Sequence, residues 1–252
     1  AEAEAEASYY LVRAFFLTPD KDGNNEPYFK ALVSFVETFP RNPHWSSANL
    51  ELAEYWERNE EFGRAARTYQ NALENGLAYE KRPGVINKIV ESYKNLKLYE
   101  QAIGYARRLV NEFPQHKLTL ESQIDIGEML FYKGDYRQSI QELTPLLTQI
   151  TDPNRRASVQ HTIADNFYNL GDFDNARKEF LKLRYHEGGT TMWIATAYYR
   201  IADCYEAQGE YRQAIEELEE IQIRFGASSN YGAQAGPRIQ KLRARLNGLP
   251  GR

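Results

Sequence analysis

Apolar residues recur along this chain in two alternating helical stripes. Between Tyr198 and Phe225, Ile201, Ala202 and Tyr205 make one stripe, and Tyr211, Ala214, Leu218 and Ile221 make another. Gly209 lies between them, where a helix C-terminus wants a residue without a side chain. The pattern predicts two helices joined by a tight turn. Ala202 and Ala214 are small enough for the backbones to cross closely, with Tyr205 and Tyr211 filling the space around the crossing. Such a hairpin leaves a large apolar surface uncovered and needs copies of itself on either side.

The copies are present at a nearly constant interval. The aromatic residue opening the second helix is Phe62, Tyr99, Tyr136, Phe173 and Tyr211, at spacings of 37, 37, 37 and 38. The first helix carries Leu52-Ala53, Ile89-Val90, Ile126-Gly127, Ile163-Ala164 and Ile201-Ala202 in the same register. Three residues after each aromatic stands Ala65, Ala102, Ser139, Ala176 or Ala214, and four further on Tyr69, Ala106, Leu143, Phe180 or Leu218. A period of this size over five copies predicts a solenoid of helical hairpins, each burying its face on its neighbours.

The pattern aliphatic-small-x-x-aromatic, then Gly-x-aromatic-x-x-Ala, resembles the tetratricopeptide repeat, most clearly over Ile163 to Leu183 and Ile201 to Ile221 and closely over Ile126 to Leu146. The repeats at Leu52 and Ile89 depart from it, with Glu60 and Lys97 at the turn-glycine position. The period and the Phe39-Pro40 and Phe113-Pro114 endings also resemble bacterial cell-envelope members, such as the coordinator of the Tol–Pal system and the repeat lipoprotein of outer-membrane barrel assembly. The resemblance implies an all-α, right-handed superhelical solenoid of antiparallel hairpins, about six repeats with a C-terminal capping helix. It also implies a protein or peptide partner held on the concave wall formed by the first helices, without catalysis or cofactor.

Punctuation at Asn42-Pro43, Arg82-Pro83-Gly84, Phe113-Pro114, Asp152-Pro153, Gly188-Gly189 and Phe225-Gly226 divides the chain. A single repeat domain spans 8–246: a degenerate repeat over 8–43, repeats over 44–82, 83–117, 118–154, 155–190 and 191–228, and a cap helix over 238–246 after Gly236-Pro237. Residues 247–252 form a tail. The opening AEAEAEA, residues 1–7, reads as a disordered or processing-derived end, with the first helix running from Tyr9 to Leu17. Thr18 to Pro27 reads as a loop, and its DKDGNNE stretch resembles the start of a calcium loop. The glycine comes early and the closing bidentate glutamate is missing, so a plain turn competes with that reading. The basic side of the last helix, Arg238, Lys241, Arg243 and Arg245, reads as a polar outer cap or as a docking helix.

Composition narrows the function. The 252 residues are 42% hydrophobic and 13% aromatic, enough for a continuous core, and the net charge of −4 argues against a general nucleic-acid binder. No apolar run reaches the roughly 18 residues of a membrane span. Cys204, the one cysteine, excludes an intrachain disulfide and reads as a small packing residue inside a helix. The four histidines lack metal-ligand companions, and His186-Glu187-Gly188-Gly189 has no second histidine. No phosphate loop or nucleophile elbow is present. The Glu216-Glu217 and Glu219-Glu220 pairs, alternating with Arg212 and Arg224, read as a solvated face, and Arg177 and Lys178 are placed on the convex side, away from the partner. These features argue against a histidine-held metal, a cofactor and an enzyme.

What remains is a column on the first helices. The residue after each small one is acidic: Glu54, Glu91, Glu128, Asp165 and Asp203. At 100° per residue it points away from the core stripe. The same face carries aromatics in the later repeats, with Phe131, Tyr132, His161, Tyr168 and Tyr199 as candidate anchors for a partner segment. The acids either line a binding groove or accept bonds from the adjacent repeat and fix the stacking. The expected function is an interaction scaffold gripping a peptide or partner helix in a bacterial envelope assembly, periplasmic or attached to the outer membrane, with a cytoplasmic location as the alternative. A periplasmic module of a polysaccharide export machine and a self-assembly module are the other readings.

Overall fold

The computed structural model describes residues 2–17, 26–40, 42–185 and 190–248, with side chains described from residue 6 and not over 14–17. Asp20 to Asn25 of the calcium-loop candidate and His186 to Gly189 lie outside the described residues; the candidate's last residue, Glu26, opens the second helix and pairs with Lys30 at 2.7 Å. Contacts group residues 1–125 and 126–252 into two compact units.

In the first unit, α1 (Glu2–Leu17), α2 (Glu26–Thr38), α3 (Trp45–Arg58), α4 (Phe62–Glu74), α5 (Arg82–Asn95) and α6 (Tyr99–Glu112) each pack on the next along the chain through α6, and α7 (Thr119–Lys133) begins there. The second unit holds the rest of α7, then α8 (Tyr136–Leu143), α9 (Pro153–Asn169), α10 (Phe173–Arg184), α11 (Thr191–Ala207), α12 (Tyr211–Phe225) and α13 (Asn230–Asn247), with each helix from α8 onward packed on the one after it. Both units are all-helical stacks of antiparallel hairpins, as the period requires.

The small residues sit at the crossings. Ala53, Ala65 and Ala102 in the first unit, and Ala164, Ala176, Ala202 and Ala214 in the second, are fully buried. Around them the first unit gathers Tyr69, Leu73, Ile86, Ile89 and Leu109. The second gathers Phe180, Leu183 and Ile201, and further on Leu218, Ile221 and Leu242. At the α7–α8 crossing even a methyl group is too much. A Cβ on Gly127 would stand 2.4 Å from Leu143, and the Ser139 hydroxyl donates to the Gly127 carbonyl at 2.6 Å.

Among the described residues, the turns inside the five regular repeats use the left-handed backbone. Gly134, Gly171 and Gly209 have φ of 86°, 76° and 75°, and Glu60 and Lys97 take the same conformation at 60° and 56°. A side chain at such a φ costs roughly 1–2 kcal/mol, part of which glycine returns through its freer unfolded chain. Glu60→Gly and Lys97→Gly therefore raise stability by about 0.5 kcal/mol each, read as an upward shift of the denaturant midpoint. A lower midpoint in both variants contradicts the turn assignment.

Three boundaries differ from the sequence expectation, the first being the loop expected to run to Pro27, since α2 already begins at Glu26. The AEAEAEA stretch is helical from Glu2, because alanine and glutamate rank among the strongest helix formers. The last helix begins at Asn230 instead of Arg238. The Ser229 side chain caps it by accepting from the Gly232 amide at 3.0 Å, and Pro237 lies inside the helix rather than before it. In the second helix of the third regular repeat, Pro145 cannot donate to the α-helical ladder, and the last turn tightens to 3-10 over Thr144–Leu146.

Candidate functional site

Three acids of the column, Glu128, Asp165 and Asp203, are ion-paired to the next hairpin, whereas Glu91 pairs within its own helix. In the first unit Glu91 accepts from Lys94 at 3.1 Å, and the same ammonium reaches the buried Asp125 at 2.6 Å. Burial pushes the Asp125 carboxyl up to about 6, against the pull of Lys94. Glu57, three residues after Glu54, accepts from Lys88 at 2.8 Å and from the Tyr69 hydroxyl at 2.8 Å. Glu54 itself stands exposed.

In the second unit Arg155 forks onto Glu128, with Nη1 at 2.6 Å and Nη2 at 3.3 Å. Arg200 donates to Asp165 through Nε at 2.9 Å and Nη2 at 2.6 Å, and through Nη1 to Asp203 at 2.8 Å. Arg238 closes the series on Asp203 and Glu206. Of the two readings of the column, the geometry of these pairs is that of stacking links. The basic face of α13 is used the same way, with Arg245 on Glu206 at 2.9 Å and Arg243 on Glu219.

A rule of register underlies the pairs. Taking the acid as origin, the position three earlier (Glu51, Lys88, Asp125, Thr162 or Arg200) makes, at Lys88, Asp125 and Arg200, an ion pair to the acid or to the position three later (Glu57, Lys94, Phe131, Tyr168 or Glu206) of the preceding hairpin. Lys88 meets Glu57, Asp125 meets Lys94, and Arg200 meets Asp165. The series breaks at Thr162, an uncharged residue whose hydroxyl turns back onto the Ser158 carbonyl at 3.1 Å. Arg155, two turns earlier on α9, reaches Glu128 instead.

At that break a cleft of about 310 Å³ opens between α7 and α9. Five of the residues selected from the sequence line it: Glu128, Phe131, Tyr132, His161 and Asp165, joined by Arg155, Ser158 and Thr162. Tyr132 is 64% exposed and stands edge-on to Phe131, with ring centroids 5.5 Å apart. His161 lies 3.5 Å from Asp165 and packs towards Trp193. Burial lowers its proton affinity, against the pull of the aspartate.

Tyr168, Tyr199 and Asp203 do not line this cleft. Tyr168 lies under the Arg200 guanidinium at 4.4 Å and against Phe173, and Tyr199 donates its hydroxyl to the Tyr231 carbonyl. Both hold hairpins together. Two residues on surfaces expected to be solvated are packed instead. Glu217 is bonded to Arg184, whose guanidinium lies 3.9 Å over the Tyr198 ring, and burial raises the carboxyl's proton affinity. Arg177 lies 4.5 Å over Tyr205 and donates to Gln208. Cys204 is buried and its thiol is pushed up to about 12, which suits a packing residue.

A second cleft of similar volume, in the first unit, is lined by Glu26, Phe29, Lys30, Val33, Tyr55 and Trp56. Arg58 and Arg64 already lie over its Phe29 and Trp56 rings, at 5.9 and 4.7 Å. Sequence reasoning missed Arg155, Ser158 and Thr162. The signal that would have found them was the uncharged residue at one position of an otherwise charged column.

Comparison with known proteins agrees with this hairpin architecture. No helix among the described residues is long and apolar enough to cross a membrane. No curated protein matches the chain in sequence. Among solved structures, the apo form of RapI aligns with a TM-score of 0.67 at 14% identity, covering 96% of this chain and 75% of that one. YrrB, described as a tetratricopeptide repeat protein with an unusual peptide-binding site, aligns at 0.55 and 14% identity over 88% of this chain and all 100% of its own. A tetratricopeptide repeat protein from Parabacteroides merdae aligns at 0.56 and 17% identity, covering 97% and 93%. At these identities the likeness is one of fold. Residues 88–116 and 196–228 match the tetratricopeptide repeat family model, so the chain is similar to that family in fold and, over those two stretches, in sequence.

Proposed function

We propose that this chain is a non-catalytic interaction scaffold that captures a segment of a partner protein in the cleft between α7 and α9. One observation carries the reading: the exposed aromatic Tyr132, the neighbouring Phe131 and the charged Glu128 and Asp165 converge on one concavity, at the point where the stacking pairs leave a gap. Aromatic anchors beside fixed charges are what a peptide site needs, because rigid rings lose little entropy on binding. YrrB, similar in fold, is described as having a peptide-binding site, which supports the class of ligand. A place in a bacterial envelope assembly is part of the proposal, and rests on the 37-residue period and the Phe113-Pro114 ending.

The test is capture of partner from an extract of the source organism. Phe131→Ala with Tyr132→Ala abolishes capture while circular dichroism stays native, since truncating a central aromatic anchor typically costs about 2 kcal/mol or more. The control is Lys178→Ala with Arg212→Ala, on α10 and α12, where both residues are exposed; it leaves capture intact. Arg177 is unsuitable as a control because its guanidinium is packed on Tyr205. Loss in the control with retention in the aromatic variant places the site elsewhere. A chain that captures only its own copies favours the self-assembly reading.

A further inference from the structure

The repeat itself shows what fills this cleft one hairpin further on. Between α9 and α11, Arg200 lays its guanidinium over the Tyr168 ring at 4.4 Å and bonds Asp165 at 2.6 and 2.9 Å. In the same register between α7 and α9, Phe131 stands for Tyr168, Glu128 for Asp165 and Thr162 for Arg200. The ring and the carboxylate are present, the position that supplies the cation holds a threonine, and all three residues line the cleft.

Arg155 meets Glu128 from the first turn of α9, which does not exhaust the carboxylate. Two oxygens offer about four lone-pair sites, and Asp203 in the same unit takes Arg200 and Arg238 together. We propose that the cleft receives an arginine side chain from the partner segment, its guanidinium stacked on Phe131 and bonded to Glu128 as Arg200 is on Tyr168 and Asp165. This rests on the cleft being the binding site and adds the chemistry of what enters it. Lysine fits less well, because an ammonium has neither the planar face for the ring nor the fork for the carboxylate. Tyr132 at the mouth then contacts the residues flanking the arginine.

The experiment is selection of a displayed random-peptide library on the full chain, followed by affinity measurement of the recovered peptides. Peptides that require Phe131 and Tyr132 carry an arginine, and exchanging it for citrulline, which keeps the shape without the charge, weakens binding about tenfold or more. Thr162→Arg supplies the guanidinium from the chain itself, so it weakens the same peptides by a similar factor and raises the melting temperature. Glu128→Gln gives the same loss and covers the case in which Thr162→Arg fails to fold. Peptides that depend on Phe131 and Tyr132 but bind equally well as citrulline forms overturn the arginine proposal and leave the binding site standing. A selection that yields no peptide dependent on those two residues overturns the site, and the arginine with it.

Discussion

Arg200→Ala lowers the stability of the second unit by about 3 kcal/mol, the usual scale for removing one partner of a largely buried ion pair. Arg200 is a hub: it bonds Asp165 and Asp203 and covers the Tyr168 ring, with 24% of its side chain exposed. Its removal affects the two acids unequally. Asp203 keeps Arg238, whereas Asp165 is left with His161 at 3.5 Å, an imidazole whose proton affinity burial lowers. The cost therefore falls on Asp165, and a double-mutant cycle with Asp165→Asn isolates it. Once Asp165 is neutral, Arg200→Ala costs markedly less than alone. Arg200→Lys falls between, keeping the charge and losing the fork and the flat stacking surface. Chemical denaturation of the wild type and these four variants checks this. Strict additivity of the two substitutions would show that the pair seen in the structure carries no coupling.

Gly232→Ala has a comparable or larger effect, for a steric reason. A Cβ there would lie 2.1 Å from the Gly226 carbonyl oxygen and 2.9 Å from the Ala227 Cα. Both are backbone atoms, so relief requires moving the turn that leads into α13. That turn has its own constraints, with Gly226 at φ 86° and the Ser229 side chain capping the helix through the Gly232 amide. Overpacking commonly costs 1–3 kcal/mol, and a clash with backbone lies at or above about 3 kcal/mol. Detaching α13 uncovers Leu218 and Ile221, so the variant shows increased hydrophobic-dye binding and early proteolysis near the C-terminal end. The control is on the same helix. A Cβ on Gly236 meets nothing nearer than the flexible Gln222 amide at 3.4 Å. Gly236→Ala is therefore neutral or stabilising by up to about 1 kcal/mol, through helix propensity alone. Equal behaviour of the two variants would rule out the close approach at Gly232.

Both predictions concern the joints between hairpins, where little was legible in advance. What the sequence determined by itself was periodic and local. The interval between Phe62, Tyr99, Tyr136, Phe173 and Tyr211 required stacked hairpins. The small residues at Ala176 and Ala202 located the crossings, and the glycines at 134, 171 and 209 located the turns. These follow from the helical repeat and backbone sterics, which act within a few residues. The column of acids was legible too, and so was the choice between groove lining and stacking link. Tertiary structure alone weighted that choice, because the arginines that meet Glu128 and Asp165 lie 27 and 35 residues away along the chain. Whether they reach depends on rotamer and interhelical distance, which periodicity does not encode. The same holds for the close approach at Gly232 and for Pro237, a residue that marks a boundary by sequence and sits within a helix once Ser229 has capped it. The cleft is the clearest case. Phe131, Tyr132 and Glu128 were identifiable as a surface, but the space beside them exists because one threonine interrupts a charged column, and an interruption becomes a cavity only when the neighbouring hairpin is packed against it.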